Sequence, residues 1–291
     1  MVSGQQFWDW VQQAKAEAIA AKISVSELDW LIQAVTGLDK LSLRLATPQT
    51  PVDLNQTVTE LQALWHKRVN DRIPLQYLIG TVPWRNFSLT VAPGVLIPRP
   101  ETEEIIDLAV AAAGDSNLVY GHWVDLGTGS GAIALGLATV FPQATIHAVD
   151  CAPKALEIAR ENATKHQLDH RIHFHQGHWW QPLQALRGQL SGMVSNPPYI
   201  PSQEVVELQP EVSQHEPHLA LDGGADGLVA IRSLIATAPQ YLQSGGVWLI
   251  EMMAGQADQV QDLLQQQGDY HKIQIATDLN GVERFALAYR R

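Results

Sequence analysis

The sequence has one cysteine, Cys151, in 291 residues. A lone thiol excludes an internal disulfide and a thiolate zinc cage, and no metal site is expected. No run of 18 apolar residues occurs, so no membrane-spanning helix is expected. The opening MVSGQQFWDW lacks a basic stretch followed by an apolar one, so no secretory signal is expected. These absences point to a cytoplasmic protein. Basic residues are scarce, 19 against 30 acidic ones. The shortfall is uneven: residues 1–100 hold 9 basic and 8 acidic side chains, residues 101–291 hold 10 and 22. A strongly acidic half repels phosphate backbones, so nucleic-acid binding is disfavoured and a protein or small-molecule partner is the default. What is present is ordinary for a globular chain, 46% apolar and 17% charged, at a length that suits two domains.

Residues 1–73 read as a small helical bundle. Phe7, Val11, Ala14 and Ala18 fall on one helical face. Ser24 to Glu27 reads as a capping box ahead of the stripe Leu28, Leu31, Ile32 and Val35, with Gly37 as the stop. Leu54, Val58, Leu61 and Trp65 suggest a further helix, and Lys67, Arg68 and Arg72 near its end read as a solvated face. Residues 74–98 change to a period of two, with Phe87, Leu89 and Val91 alternating, and read as a short β-hairpin linker. Residues 99–291 then alternate strand and helix. The strands are expected at 123–126, 145–150, 171–176, 192–196, 246–251, 271–276 and 284–289, and helices at 131–140, 153–166, 228–239 and 256–267. That order predicts an α/β domain around a mostly parallel sheet. The last two strands have no helix between them and are expected to pair as an antiparallel hairpin at the sheet edge.

Val124-Asp-Leu-Gly-Thr-Gly-Ser-Gly131 ends the first strand of that sheet and opens a helix. Gly127, Gly129 and Gly131, with Thr128 and Ser130 between them, permit a tight turn and a close backbone approach to a ligand. Asp150 ends the next strand, where a carboxylate suits ribose hydroxyls. On this motif alone NAD competes with S-adenosylmethionine. Asp125 would oppose a pyrophosphate, which favours the latter.

Val194-Ser-Asn-Pro-Pro-Tyr199 follows the fourth strand, at the sheet end that binds ligands. A planar NH₂ group is a poor nucleophile because its lone pair is delocalised. Two acceptors, the Asn196 side-chain oxygen and the Pro197 carbonyl, can hold both its N–H bonds and aim the nitrogen at an electrophilic methyl. Pro197 and Pro198 stiffen the backbone that presents the carbonyl, and Tyr199 offers a flat wall.

These segments resemble the HemK/PrmC protein-(glutamine) methyltransferases. The resemblance spans nearly the whole chain. It includes Pro74-Leu-Gln-Tyr-Leu-Ile-Gly80, Ile97-Pro-Arg-Pro-Glu-Thr-Glu103, Asp125 to Gly131, Ser195 to Ile200, Glu216-Pro217, Gly223-Gly-Ala-Asp-Gly227 and Asp278, Gly281 and Arg284 near the end. It implies a Rossmann-like class I methyltransferase fold with a seven-stranded sheet, a helical bundle in front and a short β linker between. It implies methyl transfer from S-adenosyl-L-methionine, leaving S-adenosyl-L-homocysteine, to the Gly-Gly-Gln glutamine of class 1 peptide chain release factors. By the same resemblance Gly127 to Gly131 hold the methionine part, Asp150 the ribose and Trp179 the adenine, Asn196 to Tyr199 hold the glutamine, and Asn196 also touches the cofactor. Arg99, Glu101 and Thr102 close the pocket, and the bundle docks the release factor. His178 stands where the family often has Asp or Ser. Met252-Met253 replaces Ile-Gly and reads as core packing.

Three rivals stand beside that reading. One is an adenine amino-methyltransferase using the same Asn-Pro-Pro-Tyr geometry, one a glutamine methyltransferase of a ribosomal protein. The third is a silent cofactor-binding protein, against which the intact motif argues.

Overall fold

The computed structural model describes residues 4–291 except 46, 50–51, 53–55 and 115. By packing, the chain divides into two units. One comprises Met1–Thr81 with Pro210–His215, the other Val82–Gln209 with Glu216–Arg291.

The first unit is helical: α1 (Gly4–Ala20), α2 (Val25–Thr36), α3 (Lys40–Leu45), α4 (Val58–Asn70) and α5 (Leu75–Ile79). The α1 stripe Phe7, Val11, Ala14 and Ala18 meets Leu28, Leu31 and Ile32 of α2 and Leu61 and Trp65 of α4 in one core. The Trp65 indole N–H donates to the Ala14 carbonyl at 3.2 Å, which satisfies the ring's polar atom. Gly37 ends α2 at φ 72°, a conformation that favours glycine. Leu54 lies outside the described residues.

Two local expectations are corrected here. Ser24 caps α2 by accepting the Ser26 amide at 3.3 Å, but no reciprocal box forms, because Arg68 holds the Glu27 carboxylate at 2.6 Å. The reciprocal box is at α4 instead. Thr57 Oγ1 accepts the Glu60 amide at 3.2 Å and Glu60 accepts the Thr57 amide at 2.7 Å. Nor is the end of α4 a solvated face throughout. Lys67 is exposed, but Arg68 is 4% exposed, paired to Glu27 and, at 2.8 Å, to Glu211. Arg72 joins Glu211 at 2.8 Å. Burying a guanidinium requires such partners.

The hairpin of β1 (Thr81–Trp84) and β2 (Phe87–Thr90) leads into the second unit. There α6 (Glu104–Ala113), β3 (His122–Leu126), α7 (Ala132–Val140), β4 (Thr145–Asp150), α8 (Pro153–Lys165), β5 (Ile172–Gln176) and β6 (Leu190–Ser195) follow in turn. Next come α9 (Val229–Thr237), β7 (Leu242–Glu251), α10 (Ala257–Gln267), β8 (Tyr270–Thr277) and β9 (Glu283–Arg290). The seven strands are ordered β5-β4-β3-β6-β7-β9-β8. The first five of these are parallel, and β9 pairs antiparallel to both β7 and β8. The expected final hairpin is present, with β9 inside it and β8 at the edge. Every residue of β6 is buried, as a strand covered on both faces requires. One face packs Val124, Met193 and Ile250 against Ile231 and Leu234 of α9 and Val260 and Leu264 of α10. The fully buried Asn162 of α8 ties β2 to the glycine loop. It pairs with both backbone polar groups of Thr90, at 2.6 and 2.9 Å, and donates to the Ser130 carbonyl at 2.9 Å. The carboxyl ends of β3, β4, β6 and β7 thus converge with Leu126, Asp150, Ser195 and Glu251, around the point where strand order reverses. No helix among the described residues is long and apolar enough to cross a membrane.

Candidate active site

The glycine loop leaves β3 with φ of 78° at Gly127, 54° at Gly129 and 85° at Gly131, where side chains are strained. The amides of Gly127 and Thr128 both donate to the Val149 carbonyl at 2.9 Å, fastening the loop to β4. Asp150 accepts the Gly129 amide on Oδ2 and the Ala152 amide on Oδ1, each at 2.9 Å. A side chain at Gly129 would meet no protein atom within 4 Å, whereas one at Gly131 would press on Ala159 of α8 at 3.1 Å. Gly131 therefore serves close helix packing and does not line the cavity described below.

The reading of Asp125 as a charge set against a bound anion is corrected. Its side chain is fully buried beneath the loop and does not line the cavity. It accepts the Thr128 hydroxyl at 2.5 Å and the Ala134 amide in the first turn of α7 at 3.1 Å. Burial pushes its pKa up to about 7 against the pull of those hydrogen bonds.

A cavity of about 610 Å³ opens over this loop. Gly127 to Ser130 and Asp150 form one side, Trp179 and His178 another, and Asn196, Pro198 and Thr102 a third. Trp179 sits at φ 48°, and a side chain at Gly127 would come within 3.4 Å of its ring. His178 is exposed, with its ring edge-on to Trp179 at 5.8 Å. Met252 is buried in the core, as expected, whereas Met253 is only half-buried.

The Asn-Pro-Pro-Tyr segment is held from several sides. The Ser195 hydroxyl donates to the Leu126 carbonyl at 2.6 Å. The Asn196 NH₂ donates to Thr102 Oγ1 at 3.2 Å, and Thr102 donates to Glu251 Oε2 at 2.5 Å. The Tyr199 hydroxyl donates to the other Glu251 oxygen at 2.9 Å, and Gln256 donates to the Tyr199 carbonyl at 3.0 Å. Glu251 is 1% exposed. Burial raises its pKa, while the hydrogen bonds from Thr102 and Tyr199 and the charge of Arg284 lower it. Burial also pushes the Tyr199 phenol up, and the Glu251 charge adds to that. Asn196 and Pro198 line the cavity on either side of Pro197, and Tyr199, expected as a flat wall, is not part of the lining.

Of the three residues expected to close the pocket, Thr102 lines the cavity and Arg99 and Glu101 do not. Arg99 pairs with Glu216 at 2.5 Å, and Glu216 also accepts the Ile97 amide at 3.2 Å. Glu251 and Gln256 were not singled out from the sequence. An acid directly after the apolar run 247–250, at the end of β7, was the available signal for the first.

A methyltransferase domain model matches residues 121–276. The release factor glutamine methyltransferase of Synechocystis sp. is 54% identical over 291 residues, covering 99% of this chain and 97% of that one. This chain belongs to the release factor glutamine methyltransferase family. The family member from Thermosynechococcus vestitus is 48% identical over 98% of this chain and 97% of its own. That from Geobacter sulfurreducens is 37% identical over 95% and 93%. Among solved structures, the catalytic domain of hMettl16 in complex with MAT2A 3'UTR hairpin 6 has a TM-score of 0.57 at 16% identity. It covers 82% of this chain and 84% of that one, a likeness of fold alone. The resemblance read from the sequence is therefore borne out at the level of family and fold.

Proposed function

We propose that this chain transfers a methyl group from S-adenosyl-L-methionine to the side-chain amide nitrogen of the Gly-Gly-Gln glutamine in class 1 peptide chain release factors. The observation that carries this is the cavity shared by the glycine loop, Asp150, Trp179 and Asn196. The names of relatives matching over nearly their full length support the substrate. The residues present fit the cofactor: an open cradle at Gly129, a carboxylate at a strand end and an aromatic face. In this reading Gly127 to Ser130 hold its methionine part, Asp150 its ribose hydroxyls and Trp179 its adenine. The bound cofactor supplies an electrophilic methyl on a sulfonium.

The chain's own residues do the rest. Asn196 Oδ1 and the Pro197 carbonyl accept the two amide N–H bonds of the substrate glutamine and fix its nitrogen. Both acceptors gain strength as positive charge develops on that nitrogen. Pro197 and Pro198 keep the carbonyl preorganised, and Tyr199, anchored through its hydroxyl, stiffens the segment from behind. No strong base is required, because the proton becomes acidic once the nitrogen carries the methyl. The helical unit, near charge balance where the second unit is acidic, is assigned release-factor docking.

The test is labelled methyl transfer to a purified class 1 release factor and to its Gly-Gly-Ala variant. Label on the first alone is the expected result. Label on neither, with cofactor bound, overturns the assignment and moves it to a ribosomal-protein glutamine or an adenine amine.

A further inference from the structure

We propose that Glu251 is a positioning residue for methyl transfer: it accepts the hydrogen bond of the Thr102 hydroxyl and thereby fixes which end of the Asn196 amide faces the substrate. The inference rests on the function proposed above.

The argument is one of proton counting. A threonine hydroxyl has one proton and two lone pairs. The Thr102 proton is directed at Glu251 Oε2 at 2.5 Å, and the Tyr199 proton at Oε1 at 2.9 Å. An ionised carboxylate has only acceptors, so both hydroxyls must donate to it. Thr102 then has only lone pairs left for Asn196, 3.2 Å away. Only the NH₂ end of the amide can meet them. The Asn196 oxygen is left for the substrate, where two N–H bonds need acceptors.

Protonation of Glu251 undoes this. One of its oxygens becomes a donor, Thr102 can turn its proton toward Asn196, and the amide is free to flip. An NH₂ would then face the substrate NH₂, donor against donor. Burial, the largest influence, raises the Glu251 pKa and Glu101 adds to it, while the hydrogen bonds from Thr102 and Tyr199 and then Arg284, on β9, favour the ionised carboxylate. Arg99 acts on the neighbouring Tyr199. The backbone at Glu251 is held in the sheet, where it pairs with Phe285.

The test measures kcat, KM and cofactor Kd across the acid and neutral range, with the full chain and a release factor. Thr102→Val removes the acceptor, and kcat falls at least ~10-fold while KM and cofactor Kd stay within about 2-fold. Thr102→Ser, which keeps the hydroxyl, recovers most of that loss. Glu251→Gln offers one acceptor and one donor to two hydroxyls. Its kcat falls ~10-fold, and it loses the acid limb that the wild type shows. The double variant is no slower than the slower single one, because both break one chain. Variants with kcat within about 2-fold of wild type, an acid limb shared by wild type and Glu251→Gln, or fully additive losses overturn the proposal. Should Glu251→Gln fail to fold, by circular dichroism and cofactor binding, the Thr102 pair decides. A wild type that binds cofactor but labels no Gly-Gly-Gln protein fails the functional reading and takes this one with it. Normal wild-type turnover with indifferent variants sinks the positioning role alone.

Discussion

Arg68 and Glu211 form an ion pair at 2.8 Å across 143 residues of sequence, and both side chains are largely buried. This pair draws Pro210–His215 into the helical unit. Arg68 also holds Glu27, so its removal takes the guanidinium from both carboxylates and leaves Glu211 to Arg72 alone. Breaking a buried pair from one side costs several kcal/mol. Arg68→Met is expected to destabilise the helical unit by about 3 kcal/mol. Glu211→Gln is expected to cost less, since Arg68 keeps Glu27. Urea unfolding of each variant measures the difference, and equal stabilities would remove the pair's assigned role.

Two buried groups of the second unit, His147 and Asp125, contribute to its stability toward acid with opposite sign. His147 lies between His122 and His175, with ring nitrogens at 3.0 Å on each side and the His173 ring stacked at 5.4 Å. Burial, then the neighbouring histidines, depress its pKa from 6.5 to about 3. Between those values the unfolded chain binds the proton and the folded chain does not, so stability falls as pH falls. Asp125 runs the other way. Its pKa rises from 3.8 to about 7, so the folded chain holds the proton and stability falls as pH rises through that window. The two slopes, about 1.4 kcal/mol per pH unit each at most, nearly cancel between pH 3.8 and 6.5. His147→Gln therefore gives a protein whose stability declines with rising pH in that range, and Asp125→Asn one whose stability increases. Thermal melts at several pH values, without cofactor, read both slopes.

Residues whose role is local were legible in the sequence. The strand and helix alternation placed all seven sheet strands within a few residues; the central strands, buried on both faces, read as short apolar runs, and the edge strands β5 and β8 as apolar residues alternating with polar ones. The glycines and Asn196 were found because their motifs are contiguous and sit at strand ends. Glu251, Glu211 and Asn162 were not, because each acts on a partner 32 to 149 residues away. Asp125 was misread for a related reason. Its position before the glycines is visible, but whether its side chain faces the ligand or the underside of the loop depends on strand pleat and on where α7 starts.

Gly227 is fixed by contact as well as by conformation. At φ 74° a side chain is strained, and its Cβ would overlap the Tyr199 carbonyl and the Gln256 amide that binds it. Gly227→Ala must displace the backbone just after Asn196-Pro-Pro198. Its expected cost is roughly 2 kcal/mol in stability and ~10-fold or more in kcat, with cofactor Kd nearly unchanged. A fully active Gly227→Ala would mean that the segment's geometry tolerates movement, against the preorganisation argument.

Trp179 presents its ring to the cavity from a left-handed backbone position. If it walls the adenine, Trp179→Ala removes a stacking surface and weakens S-adenosyl-L-methionine binding by ~10-fold, in line with 1–3 kcal/mol for base–aromatic stacking. Trp179→Phe keeps a ring and is expected to fall between. Calorimetric titration with cofactor alone separates this from any effect on the protein substrate. Equal affinities for all three proteins would place the adenine elsewhere.

Asn196 is the most direct test of the chemistry. Its amide is held by Thr102 on one side and lines the cavity on the other, so Asn196→Ala removes one acceptor without opening the core. Binding of S-adenosyl-L-methionine is expected to change little, since the glycine loop, Asp150 and Trp179 are untouched. Methyl transfer is expected to fall at least ~100-fold, the usual cost of losing one preorganised polar group aimed at developing charge. The loss should appear in kcat more than in KM, because the hydrogen bond strengthens only as the nitrogen becomes positive. A rise in KM with kcat unchanged would make Asn196 a ground-state binder, and an unchanged turnover would mean that the nitrogen is activated by another group.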